Sequence, residues 1–178
     1  MTEGDATVRM AVDLLQMPSR VPFLRTQPLP PGLPHLLRVA AGDERAAESS
    51  ARALKRSKTL IFDACRFYID QVLLAPESDN YRVLGASSLA TNGELRRNMA
   101  LLLRGLHPDL NSEGRTASTQ RITAAWEQLK TTERRAAYDH RPRQDVSPQP
   151  KAHWQPRKVR LRRPTLRQRL ASFLGRTK

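Results

Sequence analysis

Cysteine is almost absent: Cys65 stands alone among 178 residues. A single thiol excludes an intrachain disulfide and any cysteine-based zinc cluster. Hydrophobic residues make up 39% of the chain, below the roughly 45–50% of an ordinary globular protein. The expectation is a modest helical core with poorly packed flanks, organised as one domain plus extensions or at most two small domains. No apolar run approaches the roughly 20 residues of a membrane span. The opening MTEGDATVRMAVDLLQMPSR carries Glu3, Asp5 and Asp13 and lacks a continuous apolar region, so it does not read as a secretory signal. The cytoplasm is the expected compartment.

Acidic residues are scarce in one place. Residues 141–178 hold 12 Lys and Arg against Asp145 alone, whereas residues 1–140 hold 19 against 16. The net charge of +14 therefore belongs mainly to the tail. Also missing are a glycine-rich phosphate loop, a nucleophile elbow and a paired-carboxylate arrangement, so no enzyme, cofactor or small-molecule substrate is expected. His35, His140 and His153 have no carboxylate or cysteine at ligand spacing, which argues against a metal site. Cys65 falls on an apolar helical stripe and reads as a small buried hydrophobe.

What is present is mostly helical periodicity. A helix is expected over about 6–16, with Val8, Val12 and Leu15 on one face, ended by Pro18. Six prolines between 18 and 34 predict an extended, polyproline-like connector. Leu33, Leu36, Leu37 and Ala40 begin a second region, followed by an alanine-rich helix over about 44–55. A stronger helix over about 58–74 carries Ile61, Cys65, Tyr68, Ile69 and Val72 as a stripe.

From Asp79 the pattern tightens. Asn80 to Leu84 forms a short helical turn closed by Gly85. Thr91 and Glu94 have capping-box spacing, and the helix they open places Leu95, Met99, Leu102 and Leu106 on one stripe. Pro108 disfavours helix at His107 and ends it. A second long helix carries Ile122, Ala125, Trp126 and Leu129, with Trp126 read as a packing residue. Antiparallel packing of the two leaves His107-Pro108-Asp109 exposed at their connection. A short basic helix, Glu133 to Asp139, ends the unit.

These residues resemble a J-domain, the co-chaperone module that acts on DnaK-type chaperones. The resemblance rests on Tyr81-x-x-Leu84-Gly85, Ala90, Glu94-Leu95-Arg96-Arg97, Leu102, His107-Pro108-Asp109, Ile122, Ala125-Trp126-Glu127-x-Leu129 and Arg134-Arg135-Ala136-Ala137-Tyr138-Asp139. It covers residues 79–139, about a third of the chain. It implies an all-α fold, an antiparallel helical hairpin with short flanking helices. It also implies that His107, Pro108 and Asp109, with Arg96, Arg97 and Arg104 on the preceding helix, dock on an ATP-bound DnaK-type partner and speed its hydrolysis. Proline would hold the two flanking side chains for a partner, Asp109 could pair with an arginine across an interface, and the three arginines would steer toward an acidic surface. The chain departs from the family pattern at Met99-Ala100-Leu101, where Tyr-Lys-Arg is usual. Two positive charges are thereby lost from the docking helix and apolar surface is added. Leu110 and Thr119 also differ from the usual residues, and the glycine/phenylalanine-rich linker and cysteine zinc repeat of general J-proteins are missing.

The resulting division is 1–32, a helix and proline-rich connector; 33–76, a helical extension; 79–139, the J-domain; and 140–178, a basic, proline-containing, disordered tail. Within the tail, 164–175 could form a short amphipathic helix. The extensions would serve an unidentified client or fix location. Weak contact of 141–178 with a polyanion or a membrane surface is a further expectation. The alternative is a non-stimulating adaptor, its J-like fold a scaffold and its basic tail the working part on membrane or nucleic acid.

Overall fold

The computed structural model describes residues 1–106 and 112–140, and all of them belong to one unit. The tail and its amphipathic segment 164–175 lie outside the described residues. Among the described residues the chain is all-α, with no strand. In order, the helices are α1 (Glu3–Gln16), α2 (Val21–Thr26), α3 (Leu33–Ala40), α4 (Glu44–Leu54), α5 (Lys58–Tyr68), α6 (Asn80–Val83), α7 (Asn92–Gly105), α8 (Ser112–Leu129) and α9 (Thr132–Asp139).

α1 starts three residues earlier than the apolar pattern suggests. Thr2 and Asp5 form a capping box: the Asp5 amide donates to Thr2 Oγ1 at 3.2 Å, and the Thr2 amide donates to Asp5 Oδ2 at 3.1 Å. The proline-rich stretch is not extended throughout. Pro18 opens a 3₁₀ turn, Pro18–Arg20, and Pro22 lies in the first turn of α2. Both prolines sit where a helix needs no amide donor and where the fixed φ already suits it, so they start helices here.

α1 packs on α3, α4 and α5. A buried polar chain joins three of these helices. Ser50 Oγ donates to Asp5 Oδ1 at 3.0 Å and pairs with His35 Nε2 at 2.9 Å. Because the hydroxyl proton goes to Asp5, the imidazole nitrogen is the donor to Ser50. Burial alone would raise the Asp5 carboxyl, but hydrogen bonds from Thr2 and Ser50 outweigh it and hold the group below its ordinary value. Cys65 is fully buried, and burial pushes its thiol up to about 12. It packs as a hydrophobe with no thiolate character. Beyond Tyr68 the helix widens into a π turn, Ile69–Leu73, before Pro76.

One hydrophobic cluster runs from Val8 in α1 to Leu129 in α8. Three arginines reinforce that continuity by donating to carbonyls at the end of α2, in the π turn and in the segment that follows it, where backbone acceptors at helix ends are unpaired and the dipole favours a cation. Arg82 of α6 donates to Leu24 O in the last turn of α2 at 2.7 Å and to Gln27 O just past it at 2.9 Å. Arg121 of α8 donates to the carbonyls of Ala75, Pro76 and Ser78. Arg25 of α2 donates to Gln71 O at 2.8 Å and pairs with Glu77 at 2.9 Å. No helix among the described residues is long and apolar enough to cross a membrane.

Candidate functional site

α7 is the element on which the sequence places the docking cations. Its capping box is formed as expected: the Glu94 amide donates to Thr91 Oγ1 at 3.2 Å, and the Thr91 amide donates to Glu94 Oε2 at 2.7 Å. α7 packs against α8 on one side and α3 on the other. Leu95, Asn98, Leu102 and Gly105 are buried. The Asn98 amide nitrogen donates to Leu84 O at 3.1 Å and Gly85 O at 3.0 Å, tying α7 to the end of α6. Gly85 has φ +60° and lies so close to Leu33 and Leu37 that a Cβ would sit 3.2 Å and 3.3 Å from their methyls. Only glycine meets both demands. At the far end of α7, a Cβ on Gly105 would stand 3.0 Å from the Ala40 carbonyl oxygen, so α3 and α7 cross nearly backbone to backbone.

Arg96, Arg97 and Arg104 are all exposed, and none of them makes a hydrogen bond or ion pair among the described residues. Met99 and Leu101 are half-buried against the core, and only Ala100 between them is exposed. The apolar surface added by Met99-Ala100-Leu101 is therefore largely covered. The physical reason is that α7 has two packed neighbours, α8 and α3, where a two-helix hairpin alone would give it one. His107, Pro108 and Asp109 lie outside the described residues.

The closing Arg-Arg-Ala-Ala-Tyr-Asp works as a lock between α9 and the start of the unit. The Tyr81 hydroxyl donates to Asp139 Oδ1 at 2.8 Å, and Arg135 Nε donates to that hydroxyl oxygen at 2.9 Å. Arg135 also donates to the Ala90 carbonyl at 2.6 Å and to the Ser88 carbonyl, and stacks 5.2 Å from the Tyr81 ring centroid. The Tyr138 ring meets Tyr81 edge-on at 5.8 Å, and its hydroxyl accepts from the Asn80 amide at 3.1 Å. Arg134 pairs with Glu127 at 2.9 Å, fixing α9 to α8. Trp126 is half-buried against the core, as its packing role requires.

The family model of the DnaJ domain matches residues 79–139. Residues 79–139 are a DnaJ domain. Relatives of that segment include chaperone protein DnaJ of Erysipelothrix rhusiopathiae, 36% identical over 67 residues, covering 37% of this chain and 18% of the relative. The mitochondrial chaperone protein dnaJ GFA2 of Arabidopsis thaliana is 41% identical over 63 residues, covering 34% of this chain and 14% of that protein. A curved DNA-binding protein of Coxiella burnetii is 39% identical over 62 residues, covering 34% of this chain and 20% of that one. The chain thus spans a fifth or less of the length of these relatives, all within the DnaJ domain. No solved structure matches the chain.

The sequence did not flag Arg82 and Arg121, which join the DnaJ domain to residues before it, or Arg25, which ties α2 to the π turn and Glu77. Arg25 and Arg82 fall near helix ends, but Arg121 lies in the middle of α8 and carries no such signal.

Proposed function

We propose that this chain is a J-domain co-chaperone that docks on a DnaK-type chaperone and stimulates its ATP hydrolysis, while residues outside the DnaJ domain serve a client or location. The observation carrying the reading is the DnaJ domain itself, with His107-Pro108-Asp109 directly after the helix bearing Arg96, Arg97 and Arg104. The three exposed guanidinium groups support it, since none makes an ion pair or hydrogen bond among the described residues and each faces solvent, available to an acidic surface. The domain supplies no catalytic group. It acts by favouring the partner's hydrolysing state.

Single-turnover ATP hydrolysis by the DnaK-type chaperone tests this, with the wild-type chain and His107→Gln at matched concentration. The expected result is stimulation by the wild type that falls at least about tenfold in the variant, a loss of about 1.4 kcal/mol of coupling. Equal stimulation by both, or none by either, rejects the docking role. The adaptor reading keeps one observation in its favour, the 12-to-1 excess of basic residues in 141–178. It requires a polyanion or membrane-surface partner that the chain retains when His107 is changed.

A further inference from the structure

A groove of about 570 Å³ lies on the extension, remote in sequence from the DnaJ domain. Its walls are Met10 and Leu14 of α1, Phe23 and Leu24 of α2, and the Pro28–Pro31 loop, and Tyr68 of α5 also lines it. Phe23 stands 57% exposed on its wall, an unusual position for a large aromatic side chain. Tyr68 is only 1% exposed, yet its hydroxyl makes no hydrogen bond among the described residues. The Arg82 charge reaches that hydroxyl, and Arg82 donates to Leu24 O and Gln27 O on the groove's own wall. Tyr68 thus brings to the groove's lining a side chain whose hydroxyl has no hydrogen-bond partner among the described residues. Arg9 and Arg20 line the same groove, exposed and without an ion-pair or hydrogen-bond partner among the described residues, against the single carboxylate of Asp13.

We infer that this groove binds an extended apolar segment of a partner polypeptide that carries an acidic residue beside its apolar side chains. The apolar walls, stiffened by prolines, suit side chains of leucine or phenylalanine type. The Tyr68 hydroxyl suits a backbone carbonyl. The hydrocarbon of an acyl chain offers that hydroxyl no acceptor, whereas a peptide backbone does, so a peptide is the better occupant. The two free guanidinium groups suit a carboxylate, and they disfavour the chain's own basic tail. The inference rests on the co-chaperone reading only in calling the occupant a client. It is read by peptide binding, whereas that reading is tested by ATP hydrolysis, so either can fail alone.

The test is fluorescence anisotropy on the full chain with a labelled leucine- and phenylalanine-containing peptide flanked by aspartates, beside the same peptide flanked by lysines. The aspartate peptide should bind in the micromolar range and the lysine peptide at least about tenfold more weakly. Tyr68→Phe, which keeps the ring, should weaken the aspartate peptide about threefold to tenfold. Arg9→Glu with Arg20→Glu should reverse the preference between the two peptides. Melting temperatures of these variants close to wild type establish that the fold is intact. Binding unchanged by all three substitutions places the peptide elsewhere and overturns the inference. So does displacement of the probe by dodecanoate or by a synthetic peptide of residues 164–175, or dimerisation of the chain that Phe23→Ala abolishes.

Discussion

Asp70 sits partly buried in the π turn Ile69–Leu73, and desolvation raises its carboxyl to about 6. It makes no hydrogen bond among the described residues, so nothing offsets its desolvation. The unfolded chain holds this group near 3.8. The protonated acid is thus favoured by folding, its contribution is fully present below about 4, and it is lost as pH rises through about 6. At pH 7 the site is a partly buried carboxylate with no hydrogen-bond partner among the described residues. Asp70→Asn should then raise stability at pH 7 by an amount on the order of 2 kcal/mol, with little gain at pH 4. Urea midpoints of both proteins at the two pH values check this, and an equal gain at both would show that charge is not the cause. The sequence carries the signal, a lone acid inside the run Tyr68 to Leu74. Periodicity alone does not reveal it, because the π turn shifts which side of the helix residue 70 occupies.

At the scale of elements, hydrophobic spacing and cap chemistry located the helices well where the two agree. Thr91 with Glu94 was legible because it matches the Ser/Thr-x-x-Glu pattern, whereas Thr2 with Asp5 uses a shorter acid and escaped notice. The prolines at 18 and 22 misled for a physical reason: proline breaks a helix from within but starts one from its first turn. The closing Arg135-x-x-Tyr138-Asp139 was legible as a family pattern, but its purpose was not, since its partners Tyr81, Ser88 and Ala90 lie far away in the chain. Arg135 uses a planar fork, donating through three nitrogens to three different acceptors while stacking on a ring. Lysine keeps the charge and cannot reproduce that geometry. Arg135→Lys should cost about 1–3 kcal/mol in thermal or urea unfolding. A loss below a few tenths of a kcal/mol would mean that the charge alone holds α9 in place.

At the scale of the whole molecule, the DnaJ domain does not stand on its own hairpin. Its α7 is flanked by α8 and by α3 of the extension, and Gly85, Gly105 and the two arginines Arg82 and Arg121 all meet residues from before position 79. Sequence reading separated the extension from the domain because the family pattern begins at 79, while the contacts that join them are backbone carbonyls and close glycine approaches that carry no side-chain signature. A shared core has a consequence for unfolding, because a defect in the extension must be felt in the domain if the two melt together. Leu37 of α3 is fully buried, and its methyl faces Gly85. Leu37→Ala should cost about 2–5 kcal/mol. In a Trp154→Phe background the remaining tryptophan, Trp126, reports on α8, while far-UV circular dichroism reports on all helices. The expected result is one transition, seen at the same urea concentration by both probes and shifted equally by Leu37→Ala. If instead the dichroism transition splits and the Trp126 midpoint stays where it was, the extension and the DnaJ domain fold separately, and the packing of α3 on α7 is a contact between two units.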